Sequence, residues 1–250
     1  MVMPMAGPGT RFSDAGFDLP QPLIPLFGRP MFWWACESLR RRVPLHEMVF
    51  VILEEHSDRF DLDKTILSYY PEAVVVEIPD AACSAAESAM IGVRHLHADG
   101  PVAVNDCDHA FEVGDLACLI AQMGGRAQGG LHGALMCFPS HEPARAHAEL
   151  QTLANGRQRV VRTVDQAAGS AHAIGGCYFL ASSAELDAVY LDYSKYCPDD
   201  ARFMRGVLDV LIRRGRPVGA LHAGVHRSFG TPDELQAMTA ARFAPLLAWR

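Results

Sequence analysis

Apolar and polar positions alternate with two different periods through the first half of the chain. The runs "MVMPM" (1–5), "EMVFVIL" (47–53), "AVVVEI" (73–78) and "PVAVN" (101–105) have the length and branched content of buried strands. Pro4 keeps the first of them short. Between them, 30–42, 58–70 and 84–98 carry apolar residues at helical spacing. The first of these opens on Pro30, suited to an initial helical turn, and ends in arginines that complement a C-terminal dipole. The third opens on a capping box, Ser84 to Glu87. Strand and helix in this alternation predict a mostly parallel sheet with helices on both faces.

The pattern changes after residue 125. Strands are expected within 129–138 and 148–164, where Asn155-Gly156 is a strong hairpin signal, and again at 173–181 and 217–224. Ser182 to Glu185 caps a following helix, 200–215 is an amphipathic helix ended by Gly215, and 231–247 begins with Thr231 as N-cap, Pro232 and Glu234. His222 and His226 read as strand-end residues. With no repeat, linker or low-complexity stretch between the halves, the expectation is α/β. It is a single-domain α/β/α sandwich over 1–250, with a mostly parallel, mixed central sheet.

Composition narrows the function. Half of the 250 residues are apolar and the net charge is −7, which argues against a nucleic-acid partner. Seven scattered cysteines without a C-x-x-C pair read as reduced thiols, and no run approaches the roughly 20 apolar residues of a membrane span. Pro4, Gly7, Pro8 and Gly9 break any apolar leader. The expectation is a cytoplasmic protein with no membrane partner. Phe32, Trp33, Trp34 and Trp249 read as core, with a homo-oligomer surface as the alternative.

Two loops carry candidate chemistry. "AGPGTRF" (6–12) follows the first strand, so it lies at the carboxyl edge of the sheet, the usual ligand crevice of open α/β folds. Gly7 and Gly9 permit close backbone approach, and Arg11 offers bidentate phosphate geometry. The loop is neither a Rossmann fingerprint, since Phe12 stands at the third glycine, nor a P-loop. A tight turn with a solvated arginine is the plain alternative. The second loop, "NDCDHAF" (105–111), ends an apolar strand in polar residues suited to a hard divalent cation. Asp106 and Asp108, two apart, are expected on one strand face; alternatively one caps a helix and the other is exposed. Cys107-His109 and His95-His97 lack zinc spacing.

Taken in order along the chain, these segments resemble the sugar-phosphate nucleotidyltransferase family, the broad group that includes choline-phosphate cytidylyltransferases. "GPGTRF" is similar to its opening G-x-G-[ST]-R-[FM] motif. "QPLIPLFGRP" is similar to its K-P-L and G-K-P elements, with Gln21 for the lysine. "DAACSAAESA" (80–89) resembles its base-reading segment, "NDCDHAF" its metal-binding aspartate, "VDQAAGSAHAIGGCYF" its E-K pair and G-x-Y-x-F strand, and "FGTPDEL" its G-T-P-E-D-L ending.

The resemblance implies a nucleotide-diphospho-sugar transferase-like fold, with 1–125 binding nucleotide and 126–250 binding the acceptor. It implies transfer of an NMP from an NTP to a small phosphorylated acceptor, such as a sugar phosphate or a choline-phosphate-like molecule, with release of pyrophosphate. On that pattern Arg11, Gln21 and Asp108 are catalytic. Ala6, Gly7, Gly9, Thr10, Arg11, Ala82, Ser84 and Ala85 bind the nucleotide, Asp108 and Asp106 hold Mg2+, and Asp165, Gln166, Gly176 and Ser228 meet the acceptor. The chain departs from the pattern where Gln21 and Gln166 replace lysines and Ser228 replaces a second metal-binding aspartate. Arg29, Arg157, Arg159 and Arg162 are candidates to restore charge. Two alternatives stay open: a nucleotide-binding relative with little or no transferase activity, and a metal-dependent glycosyltransferase reading "DCD" (106–108) as D-x-D.

Overall fold

The computed structural model describes residues 1–82, 84–123, 130–142, 145–164, 171–197 and 203–249. The chain forms two compact units, neither continuous in sequence. One comprises Met1–Leu96, Asn105–Glu112 and Val225–Arg250, the other His97–Val104 and Val113–Gly224.

In the first unit three parallel strands lie in the order Val74–Ile78, Val49–Leu53, Val2–Pro4. The middle strand is buried on both faces, which explains its unbroken apolar run. Pro4 ends the first strand without disturbing the ladder, and Met5 N donates to Val51 O at 2.8 Å. The helix Met31–Arg40 is buried over nearly its whole length. Phe32, Trp33, Trp34 and Trp249 are all buried, with Trp34 against Phe243 at 4.7 Å between ring centroids. They are core, and the surface alternative falls for these four residues.

The helix Ala85–Val93 is capped by Ser84 as its sequence predicts, and it lies close on the strands. A Cβ at Gly92 would stand 2.5 Å from Val2 Cγ1 and 2.9 Å from Val51 Cγ2, so only glycine allows this approach.

Element bounds differ from expectation in several places. The helix read over 58–70 is two helices, Glu54–Phe60 and Leu62–Tyr69, broken at Asp61, whose φ is +50°. An aspartate tolerates that conformation, and its carboxylate is held by Lys64 at 2.5 Å. The tail helix read over 231–247 is Pro232–Gln236 and then Ala240–Leu247, with Thr239 capping the second. The strand Val102–Asn105 stops at Asn105, and a separate strand, His109–Val113, begins after the polar bend. It pairs with Val218–Ser228.

In the second unit the strand order is Val102–Asn105, His172–Leu180, Gly133–Pro139, Val218–Ser228, Gln158–Val164, His147–Thr152. Gly133–Pro139 runs parallel to Val218–Ser228 and antiparallel to His172–Leu180. The Asn155-Gly156 hairpin forms, closing on Thr152 opposite Gln158, with Gly156 at φ +78°. Glu185 N donates to Ser182 Oγ at 3.1 Å, and Gly215 at φ +70° ends the helix Met204–Arg213. His222 and His226 lie within a strand that runs on to Ser228, not at its end. The fold is α/β, with three parallel strands and a small antiparallel pair, Pro25–Leu26 with Arg29–Pro30, in the first unit and a mixed sheet in the second. Among the described residues six cysteines are free thiols, and no helix is long and apolar enough to cross a membrane.

Candidate functional site

The loop after the first strand is shaped by one buried and one left-handed residue. Phe12 is buried against Phe17, anchoring the short helix Thr10–Ser13, and Gly9 turns the chain at φ +65°. Gly7 and Arg11 are exposed, and a Cβ at Gly7 or Gly9 would meet nothing within 4 Å, so the face of the loop is open. Among the described residues, the amides of Gly7, Gly9, Thr10 and Arg11 have no protein acceptor. Ala82 N donates to Ala6 O at 3.2 Å, which joins the two segments expected to bind nucleotide. Ala6 is buried with Val51 and Leu53, and Ala82 packs on that cluster. Ser84 Oγ accepts from Glu87 N at 3.1 Å as the helix cap, with Ala85 the first helical residue.

The predicted carboxylates lie in the bend between two strands. Asp106 and Asp108 therefore do not share a strand face, because the strand ends one residue before Asp106. Asp108 is held on three sides. Its Oδ2 accepts from Gln21 Nε2 at 3.1 Å, its backbone oxygen accepts from Phe229 N at 2.9 Å, and Gly230 faces its carboxylate so closely that a Cβ there would stand 2.5 Å from Oδ2. Arg11 donates to Gly230 O at 3.4 Å. The structure thus gathers Arg11, Gln21 and Asp108 around Gly230.

Beneath the bend runs a buried polar chain that the sequence did not reveal. Asn105 Nδ2 donates to Ala35 O at 3.0 Å, which turns Asn105 Oδ1 toward His109 Nε2 at 3.1 Å. That contact places the proton on Nε2, leaving Nδ1 to accept from His226 Nε2 at 3.4 Å. Burial lowers the His109 pKa to about 3, so the ring is neutral and the network holds the bend without adding charge.

Glu234 was also missed, because its position three residues into a capped helix fully accounts for it in sequence. Its carboxylate accepts from Ser228 Oγ at 2.8 Å and from Gly230 N at 3.0 Å. Ser228, expected to meet the acceptor, thus spends its hydroxyl proton on Glu234. Gly176 lies in the strand His172–Leu180 of the second unit, and Asp165 and Gln166 lie outside the described residues.

Two of the candidate cations are engaged elsewhere. Arg29 lies over the rings of Trp33 and Tyr69 at 5.1 and 5.6 Å, and Arg162 pairs with Glu149 at 2.5 Å. Arg157 and Arg159 line a cleft of about 510 Å³ within the second unit, together with Gln158 and His222.

Electrostatically the bend is short of positive charge. Burial raises the pKa of both aspartates. Asp108 adds to the rise at Asp106, and Glu234 to that at Asp108, where Gln21 and Arg11 oppose it. Carboxylates so placed favour either a proton or a cation. Asp106 accepts no protein hydrogen bond among the described residues. No group of three or more His, Cys, Asp or Glu side chains is arranged to hold a metal ion among them either. The two aspartates of the bend offer hard oxygen donors, the type that suits a divalent cation completing its shell with water.

No protein-family model matches the chain, and no curated protein does. Solved structures do. A nucleoside-diphosphate-sugar pyrophosphorylase from Vibrio cholerae RC9 is 18% identical over 94% of this chain and 98% of its own, with a TM-score of 0.76. The inositol-1-phosphate CTP transferase from T. maritima is 14% identical over 97% and 92%, with a TM-score of 0.73. A UTP-bound UGPase from Acinetobacter baumannii is 14% identical over 94% and 90%, with a TM-score of 0.68. At these identities the likeness is one of fold, and it extends over nearly the whole chain.

Proposed function

We propose that this chain is a nucleotidyltransferase that moves an NMP from an NTP to a small phosphorylated acceptor and releases pyrophosphate. The observation that carries this reading is the convergence of Arg11, Gln21 and Asp108 on Gly230, beside a loop whose outward amides have no protein acceptor. The fold shared with sugar- and inositol-phosphate nucleotidyltransferases supports the same reading.

In this reading an oxygen of the acceptor phosphate attacks the α-phosphorus of the NTP. The bond from that phosphorus to its bridging oxygen breaks, and pyrophosphate leaves with the electron pair. The protein's task is positioning and charge neutralisation. Amides of the 7–11 loop and the Arg11 guanidinium receive the β- and γ-phosphates. Ala6, Ala82, Ser84 and Ala85 border the nucleoside. Asp108, with Asp106, would hold Mg2+, which when bound neutralises charge on the triphosphate oxygens. Gln21 fixes the Asp108 carboxylate by its amide hydrogen bond. Gly176, Ser228, Asp165 and Gln166 are assigned to the acceptor.

Gln21 favours a second reading, a nucleotide-binding relative that transfers slowly or not at all. A neutral amide aimed at Asp108 puts no cation on the α-phosphate. Losing one charge-assisted hydrogen bond costs about 1.5–3 kcal/mol, roughly 10- to 150-fold in rate, which slows transfer and leaves binding intact. Thermal shift with each NTP and Mg2+, set against nucleoside-diphosphate sugars, tests the binding claim shared by both readings. The expected result is a rise with one or more NTPs that exceeds the rise with any nucleoside-diphosphate sugar. A rise with the sugars alone contradicts both readings and favours a glycosyltransferase.

A further inference from the structure

We propose that Glu234 is a positioning residue for Asp108, acting through Gly230. The inference rests on the transferase reading and concerns how this chain prepares its carboxylate for a divalent cation.

Gly230 is the meeting point of three interactions. Its N–H donates to Glu234 Oε2 at 3.0 Å, its carbonyl accepts from Arg11 at 3.4 Å, and its α-carbon lies against the Asp108 carboxylate. Neighbouring Phe229 N donates to Asp108 O at 2.9 Å, so the 229–230 backbone and the 108 bend are one contact. Glu234 grips that backbone through the Gly230 amide. Its same oxygen also accepts from Ser228 Oγ at 2.8 Å, which fixes the turn on both sides of Phe229.

The helix start does not need this carboxylate. Glu234 N donates to Thr231 Oγ1 at 3.2 Å, and Leu235 N to Thr231 O at 2.9 Å, both backbone donors that survive a side-chain change. The side chain holds Gly230. Its negative charge also bears on Asp108 and adds to the pull of the bend on a cation. In this chain, the position where the family pattern has a second aspartate carries Ser228, whose hydroxyl serves Glu234 instead. Glu234, six residues further on, supplies a negative charge that bears on Asp108.

Mn2+ binding, read by electron paramagnetic resonance with and without a non-hydrolysable NTP, tests this in the wild type, Glu234→Gln, Glu234→Asp, Gly230→Ala and the Glu234→Gln/Gly230→Ala double variant. Glu234→Gln is expected to weaken Mn2+ binding about five- to tenfold, within the range of a hydrogen bond to a charged group, while the metal-free protein stays folded. Glu234→Asp should recover part of the loss, and Gly230→Ala should reproduce it. The double variant should be no weaker than the worse single one, because both changes act on Asp108 through the placement of Gly230. Unchanged Mn2+ affinity in Glu234→Gln, with a wild type that binds, overturns the inference alone, as do fully additive losses in the double variant. A wild type that binds no Mn2+ with any NTP analogue overturns the transferase reading and the inference with it.

Discussion

Gln21 Nε2 donates to Asp108 Oδ2 at 3.1 Å, so the residue that stands for a lysine in the resembled family is turned onto the carboxylate. The same contact makes position 21 a control on the site. Gln21→Lys places a cation between Asp108 and the proposed phosphate path, and is expected to raise pyrophosphate release by roughly 10- to 150-fold, equivalent to about 1.5–3 kcal/mol. A fall in rate, with weaker dependence on Mg2+, would show instead that the lysine pairs with Asp108 and displaces the cation.

The two aspartates give the metal-free protein a distinctive pH dependence. Burial raises the pKa of Asp106 from 3.8 to about 8, and that of Asp108 also rises. Between the ordinary carboxylate value and the raised one, the folded chain holds more protons than the unfolded chain. Stability therefore falls as pH rises through that window. Buried His109 and the buried N-terminal amine, whose pKa values are lowered, act in the opposite sense but are common to wild type and variant, so the metal-free melting temperature of Asp106→Asn should gain several degrees on that of the wild type between about pH 5 and pH 8. Mg2+ with NTP should restore the loss at the alkaline end. A profile equally steep in Asp106→Asn would remove this pair as its source.

Arg11 is exposed, and among the described residues its side chain makes one hydrogen bond, to Gly230 O at 3.4 Å. Arg11→Ala should leave the melting temperature nearly unchanged and weaken NTP binding about tenfold or more, with a smaller effect on NMP. Equal losses for NTP and NMP, measured by titration calorimetry, would assign Arg11 to the loop's structure.

Gly92 tests the packing that supports the first loop. Gly92→Ala drives a Cβ into Val2 and Val51, and should destabilise the protein by about 1–3 kcal/mol in urea denaturation. A neutral result would mean that the helix Ala85–Val93 stands off the sheet.

Much of this fold was legible because local chemistry agreed with it. The capping residues Ser84, Ser182 and Thr231 all accept the predicted backbone N–H, and Asn155-Gly156 turns its hairpin. Illegible features depend on distant partners or on a single dihedral. Asp61 breaks a helix whose apolar spacing runs straight through it. Glu234 looks like an ordinary capping-box carboxylate until Ser228 and Gly230 are seen to donate to it. His109 and Asn105, more than sixty residues along from Ala35, needed the folded bend to become a network. Loops 6–12 and 105–111 stand out in the sequence because the carboxyl ends of strands are the usual place for ligands in open α/β folds.

The most direct measurement is pyrophosphate release from each of the four NTPs with Mg2+, against a panel of phosphorylated small acceptors that includes sugar, polyol and amino-alcohol phosphates. The account predicts that at least one NTP and acceptor pair gives pyrophosphate and an equimolar nucleotidyl product, and that Asp108→Asn abolishes both while the protein stays folded. No pyrophosphate from any pair, or release that survives Asp108→Asn unchanged, would contradict it.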